Sequence, residues 1–104
     1  MKAKSDKEKD SIKLSFAVLV WKLLKASKYK SAREFALDIG LEPAHVQKII
    51  RENKDVAITT VVTIAEGFGI SMGDFGKEYE NITRIDINAY KKDMEEQKRL
   101  KGKR

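Results

Sequence analysis

The sequence predicts an all-α protein: a five-helix domain followed by a charged C-terminal extension. Three observations predict it. Apolar residues recur at three- and four-residue spacing through most of the chain, the period of a helix with one buried face. Helix-start residues (Ser31, Pro43, Ser71) and a helix-stop residue (Gly40) punctuate those stripes at short intervals. With one proline and six scattered glycines, no long flexible linker is expected. The organisation follows as a charged N-terminal segment (1–10), a domain (11–80) and the charged extension (81–104).

A chain of 104 residues suits one small domain with tails. Its 41% hydrophobic content permits a compact core, and its 37% charged content favours well-solvated faces. The absence of cysteine excludes disulfides, thiolate nucleophiles and cysteine-based zinc sites, and one histidine, His45, cannot make a histidine-rich metal site. No nucleophile has an obvious base beside it, and Gly67-Phe68-Gly69 reads as a helix terminator. Neither an enzyme nor a cofactor is expected. The lysine-rich start followed by LSFAVLVWKLL imitates a signal peptide. Asp6, Glu8 and Asp10 spoil the leading segment, Lys22 interrupts the apolar run, and the run is too short to cross a bilayer. A cytoplasmic protein with no membrane partner is expected.

The first helix is expected firmly from Ser11 to Ala26, with the charged residues before it frayed, although Ser5 and Glu8 fit a capping box. Phe16, Leu19 and Leu23 form one stripe; Ala17, Val20, Trp21 and Leu24 form another. One face should cover the core. The other, drawn from Ile12, Phe16, Leu19 and Leu23, has no obvious intrachain partner and suggests self-association, unless the fifth helix or the tail covers it. Ser31 caps the second helix, with Glu34 as reciprocal partner, and Gly40 ends it in the left-handed conformation cheap for glycine. Leu41 and Glu42 form a turn. Pro43 opens the third helix, where its missing N–H costs nothing, and Val46, Ile49 and Ile50 make the inner face up to about Asn53. Residues 54–57 form a loop. Ile58, Val61, Val62, Ala65 and Phe68 give a fourth helix its inner stripe. Ser71 caps a short fifth helix with Met72 and Phe75 inward.

In the extension, NITRIDI alternates like a short strand or an extended arm. Ala89 to Leu100 is a charged helix candidate whose only apolar marks are Tyr90, Met94 and Leu100. With so little to bury, it is expected to stay outside the core.

The net charge is +6, from 22 basic and 16 acidic residues, with a pI near 9.5. It is concentrated: Lys22, Lys25, Lys28, Lys30 and Arg33 form one run without an anion, and Lys98 to Arg104 forms another. Such clusters suit a polyanion such as DNA, though a charge run also simply solvates a surface.

From Ser31 to Phe75 the chain resembles the lambda-repressor-like helix-turn-helix family, also called Xre or Cro-type. Phe35 and Ala36 stand where the family packs an apolar residue and then alanine. Gly40 and Leu41 occupy its turn positions, and Val46 and Ile49 its two buried recognition-helix positions. ITTVVTIAEGFGISMGDF follows the family's Leu-x-Thr-Leu-x-x-Ile-Ala-x-x-Leu-x-Val-Ser-x-x-x-Leu run nearly position by position. The resemblance implies a five-helix DNA-binding domain whose third helix enters the major groove. Physical chemistry agrees at those positions: Ala36 allows close backbone approach, Gly40 turns the chain, and Val46 and Ile49 lock one helix on the other.

The departures from the family pattern lie where DNA would be touched. Ala32 replaces a phosphate-contacting glutamine, and Glu42 replaces the capping serine or threonine. Pro43 and Ala44 stand at base-contacting positions, and Ile50 and Glu52 replace a glutamate and a glycine. The base-contact candidates that remain are Ala44, His45, Gln47 and Lys48. Gln47 suits adenine, Lys48 guanine, and the Ala44 methyl a thymine methyl. Phosphate candidates are Lys28, Lys30, Ser31, Arg33, Arg51 and Lys54. The resemblance thus implies a transcriptional regulator, a repressor, binding double-stranded DNA as a homodimer on an inverted repeat. The alternatives are an antitoxin or restriction–modification control protein, or a protein-interaction module on the same fold. The extension could be a basic DNA arm or a docking segment for a protein partner.

Overall fold

In the computed structural model, which describes residues 5–102, every regular element is a helix: α1 (Asp6–Ala26), α2 (Ala32–Ile39), α3 (Pro43–Glu52), α4 (Ile58–Gly67), α5 (Met72–Glu80) and α6 (Arg84–Gly102). Residues 1–4 of the charged N-terminal segment and the end of the basic tail, Lys103 and Arg104, lie outside the described residues.

The first helix begins earlier than expected. Ser5 Oγ accepts the Glu8 backbone N–H at 3.2 Å and donates to Glu8 Oε1 at 3.2 Å, so the Ser5 cap extends α1 back to Asp6 through residues expected to fray. Near its middle α1 is enclosed on every side: Ala17, Val18, Leu19 and Val20 are all fully buried. Four successive buried residues leave no helical face in solvent, because α3, α5 and α6 all pack around α1. Most of the face expected to be free is therefore covered within the chain, although Ile12 remains 42% exposed. Phe16 meets Phe75 of α5 edge to face at 6.0 Å, and Leu23 packs on the core.

Gly40 ends α2 at φ +78°. The Leu41 N–H then reaches back to the Ala36 carbonyl at 2.9 Å, the bond that closes a left-handed helix terminus. At the other end, Ser31 Oγ accepts the Glu34 N–H at 3.1 Å. The expected reciprocal bond is displaced, since Glu34 Oε2 accepts from the Lys30 N–H instead, at 3.4 Å. Phe35 stacks on Phe68 at 4.3 Å and takes the edge of Tyr29 at 5.0 Å. Gly67 permits the close approach of α2 and α4: a Cβ there would sit 2.4 Å from Ile39 Cγ2 and 3.0 Å from the Phe35 ring.

Two apolar expectations and one of secondary structure need correction. Ile58 is 69% exposed and Met72 40% exposed. Each stands in the first turn of its helix, where the end projects past the packed layer; Ile64 and Phe75 fill the core instead. NITRIDI forms no strand. Thr83 Oγ1 accepts the Asp86 N–H at 3.2 Å while the Asp86 carboxylate accepts the Thr83 N–H at 3.0 Å. This reciprocal cap starts α6 at Arg84.

The largest correction concerns the extension. Tyr90 is 3% exposed and belongs to the core. Its ring meets Trp21 edge to face at 5.7 Å, and its hydroxyl donates to the Ile50 carbonyl and, at 3.2 Å, to Asn53 Oδ1. Ile87 and Met94 of α6 also pack against the core, and polar bonds add to the docking. Trp21 Nε1 donates to Asp93 at 2.8 Å, Lys22 pairs with Asp86 at 3.2 Å, and Arg51 donates to Gln97 at 3.1 Å. One buried ring, two half-buried apolar side chains (Ile87 and Met94) and a polar stripe thus hold a helix expected to stay outside the core.

Candidate nucleic-acid interface

On α3, three- and four-residue spacing sets Ala44, Gln47, Lys48 and Arg51 opposite the buried Val46, Ile49 and Ile50. All four are exposed. His45 is exposed too but lies at the flank of that face, towards Glu52. Glu42 precedes α3 without a side-chain cap bond, and Pro43 occupies its first turn. Here the helix start offers a carboxylate and an alkyl ring, neither of which donates a hydrogen bond to a base or a phosphate.

A groove of about 310 Å³ joins α3 to the start of α2. Its lining brings together five of the sequence-predicted residues: Lys30, Ser31, Arg33, Gln47 and Arg51. The others lie elsewhere. Lys28 lines a separate depression with Tyr29, Glu34, Leu37 and Asp38, and its ammonium sits 5.4 Å from the Tyr29 ring centre. Lys54 follows α3 in the loop, 4.0 Å from Glu52. Ala44, His45 and Lys48 are exposed outside the groove. Ser31 spends its oxygen on the Glu34 N–H, which leaves its hydroxyl proton to donate. The first N–H groups of α2 lack intrahelical partners, as at any helix start.

The groove also contains residues the sequence analysis did not assign. Asp93, Met94 and Gln97 of α6 form one wall, with Trp21 and Lys25 of α1 beside them. Asp93 is the hub: it accepts from Trp21 Nε1 at 2.8 Å and Gln97 Nε2 at 3.3 Å, and lies 3.8 Å from the Lys25 ammonium. Lys25 also sits 4.8 Å from the Trp21 ring centre. The apparently unopposed run from Lys22 to Arg33 is therefore partly neutralised, with Lys22 held by Asp86 and Lys25 by Asp93. Lys28, Lys30 and Arg33 form no ion pair among the described residues. Two sequence signals pointed to this wall. Trp21 carries an indole N–H that needs a partner when packed, and Asp86, Tyr90, Asp93 and Gln97 recur at helical spacing.

Tyr29 forms the groove's far edge. The Asp38 carboxylate that accepts its hydroxyl proton holds that hydroxyl above the usual tyrosine range. Among the described residues, no cluster of three or more His, Asp or Glu is arranged to hold a metal ion. None of the described helices is long and apolar enough to cross a membrane. Comparison of the chain with known protein families, characterised proteins and solved structures returns no match.

Proposed function

We propose that the chain binds double-stranded DNA and acts as a small transcriptional regulator of the repressor type. One observation carries this reading: the cationic start of α2, with Lys30 and Arg33, meets the exposed polar face of α3, with Gln47 and Arg51, along a single groove. A helix start with free N–H groups and flanking cations suits phosphate oxygens. The adjoining face of α3 presents Gln47 and Lys48, whose side chains match base edges in the major groove. Ala44 adds only a methyl, so affinity rests mainly on charge and placement. A single domain gives a small footprint, and two copies on an inverted repeat would supply the length of site that specificity needs.

The testing experiment is a filter-binding titration with random-sequence duplex DNA at increasing salt, followed by selection of preferred sequences from the bound pool. Affinity should fall steeply with salt, because each neutralised phosphate releases counterions. Failure to bind at the lowest salt would remove the proposal.

A second reading has its own support. Glu42 stands uncapped at the start of α3, and Lys22 and Lys25 are engaged by α6 carboxylates. Both features reduce the pull on a phosphate and favour a protein-interaction module on the same architecture. Binding of a protein partner without any salt-sensitive DNA binding would select it.

A further inference from the structure

Arg51 of α3 and Gln97 of α6 meet in the wall of the groove that gathers Lys30, Arg33 and Gln47. Gln97 Oε1 accepts from Arg51 Nη2 at 3.1 Å, and Gln97 Nε2 donates to Asp93 Oδ2 at 3.3 Å. The same carboxylate oxygen accepts from Trp21 Nε1 at 2.8 Å. An ionised carboxylate only accepts and a guanidinium only donates, so an amide between them has one orientation, with its oxygen towards Arg51. Gln97 and Asp93 are half-buried, whereas Arg51 is exposed. An exposed arginine is thus tied, through two side chains of α6, to the indole packed against Tyr90.

The kind of partner matters. Lys22 and Lys25 are held by the carboxylates of Asp86 and Asp93, which offset their charge. Arg51 forms no ion pair among the described residues. Its partner is a neutral amide, which orients the guanidinium without cancelling its charge and leaves its other N–H groups for an anion. Arg51 and Gln97 also line a second depression, which holds Glu52 and Glu95. Those carboxylates are rival partners for a guanidinium free to turn, and neither pairs with it.

We infer that Gln97 is a positioning residue for DNA binding: it presets Arg51, with its charge intact, as a phosphate clamp at the end of α3, while Asp93 and Trp21 fix the amide. This rests on the DNA-binding function proposed above. A long side chain loses rotamer freedom when it settles on a phosphate, and one already held loses less.

The test is filter binding to random-sequence duplex DNA across salt, with the full chain and four variants: Gln97→Met, Gln97→Glu, Arg51→Ala, and Arg51→Ala combined with Gln97→Met. Gln97→Met keeps the length and helix propensity of the side chain and removes the amide. Its affinity should fall roughly three- to tenfold, the cost of ordering one long side chain on binding. Its salt slope should stay that of the wild type, because Arg51 keeps its charge. Gln97→Glu supplies a carboxylate in place of the phosphate and should lower the slope by up to about 0.9, as Arg51→Ala does. With Arg51→Ala already present, Gln97→Met should cost nothing more, the non-additivity that action through Arg51 requires. Wild-type affinity in Gln97→Met, or a loss that persists in the Arg51→Ala background, overturns the inference and leaves the proposed function intact. Should Gln97→Met fail to fold, Gln97→Glu decides, and a wild-type salt slope there overturns it. If the full chain binds no DNA at any salt, the proposed function fails first and this inference falls with it.

Discussion

The hydroxyl of Tyr90 donates to the backbone carbonyl of Ile50, 40 residues away in sequence. Ile50 lies in the last turn of α3, where a helix leaves its final carbonyls unpaired. A side chain from α6 therefore completes the end of the helix that carries the candidate base contacts, and Asn53, in the left-handed conformation at φ 52°, accepts from the same hydroxyl at 3.2 Å.

Tyr90→Phe should lower stability by roughly 1–3 kcal/mol, since it strands a buried carbonyl. Tyr90→Ala, or a chain ending at Asn88, should cost more, about 3–5 kcal/mol by analogy with other buried aromatic deletions. Urea unfolding followed by circular dichroism checks both. A chain ending at Asn88 with unchanged stability would show that α6 is not docked in solution. Burial raises the Tyr90 hydroxyl pKa, so the folded state keeps its proton longer than the unfolded one. Stability should then decline as pH climbs past about 10, and Tyr90→Phe should make that alkaline decline shallower.

Acid should act through Asp86. The Thr83 backbone N–H holds its carboxyl below the usual carboxylate range against the opposing effect of burial, with the Lys22 ammonium and the Thr83 hydroxyl adding to the lowering. Its stabilisation is thus present above the unfolded-state value, about 3.9, and disappears as pH falls through the lower folded-state value. Asp86→Asn should weaken the wild type at neutral pH and flatten the acid limb of a plot of urea midpoint against pH. An acid limb identical in both proteins would refute this role.

Gly67→Ala should be destabilising by about 1–3 kcal/mol, because the new methyl meets Ile39 and Phe35 in an already packed layer. Gly76→Ala, within α5 and with nothing within 4 Å of the added Cβ, should be neutral or stabilising by about 0.5–1 kcal/mol through helix propensity. Thermal melts of the two variants side by side give the contrast, and equal effects would contradict the close α2–α4 contact.

On DNA, Lys30→Ala and Arg33→Ala should weaken binding to all sequences alike and each reduce the salt slope by about 0.9. Lys48→Ala and Gln47→Ala should instead relax preference at single positions, at about 1–3 kcal/mol per lost base contact. Selection experiments with each variant separate the two roles; a change of preferred sequence with Lys30→Ala but not Lys48→Ala would reverse the assignment.

The segments that were legible in the sequence are those whose signals are local. Ser31, Gly40 and Pro43 each solve a backbone problem within a few residues, so the α2–turn–α3 unit could be read from them. The path of α6 could not be read by the same means. Its docked face carries only three apolar residues, Ile87, Tyr90 and Met94, among carboxylates and an amide, and so sparse a stripe gives a weak hydrophobic period. Its partners are remote: Trp21 and Asp93 are separated by 72 residues, and Lys22 and Asp86 by 64. One local clue existed, since Thr83 and Asp86 have the spacing of a reciprocal helix cap, but the alternating β-branched residues of NITRIDI suggested extended chain instead. Likewise, five candidate contacts could be named from the pattern and lie along one groove, while the α6 wall of that groove shows in the sequence only as a helical recurrence whose remote partners the spacing does not name.

The single tryptophan of the chain has the Lys25 ammonium over its ring, donates its indole N–H to the Asp93 carboxylate paired with that ammonium, and takes Tyr90 against its ring. That setting makes Trp21 an intrinsic optical probe. Release of α6 would expose the indole to water and shift its fluorescence to the red, and an anion entering the groove would perturb the Lys25–Asp93 pair beside the ring. Emission from one residue, with no label attached, would therefore follow helix docking and groove occupancy in real time, and Asp93→Asn would separate the two by changing the charge while keeping an acceptor for the indole N–H.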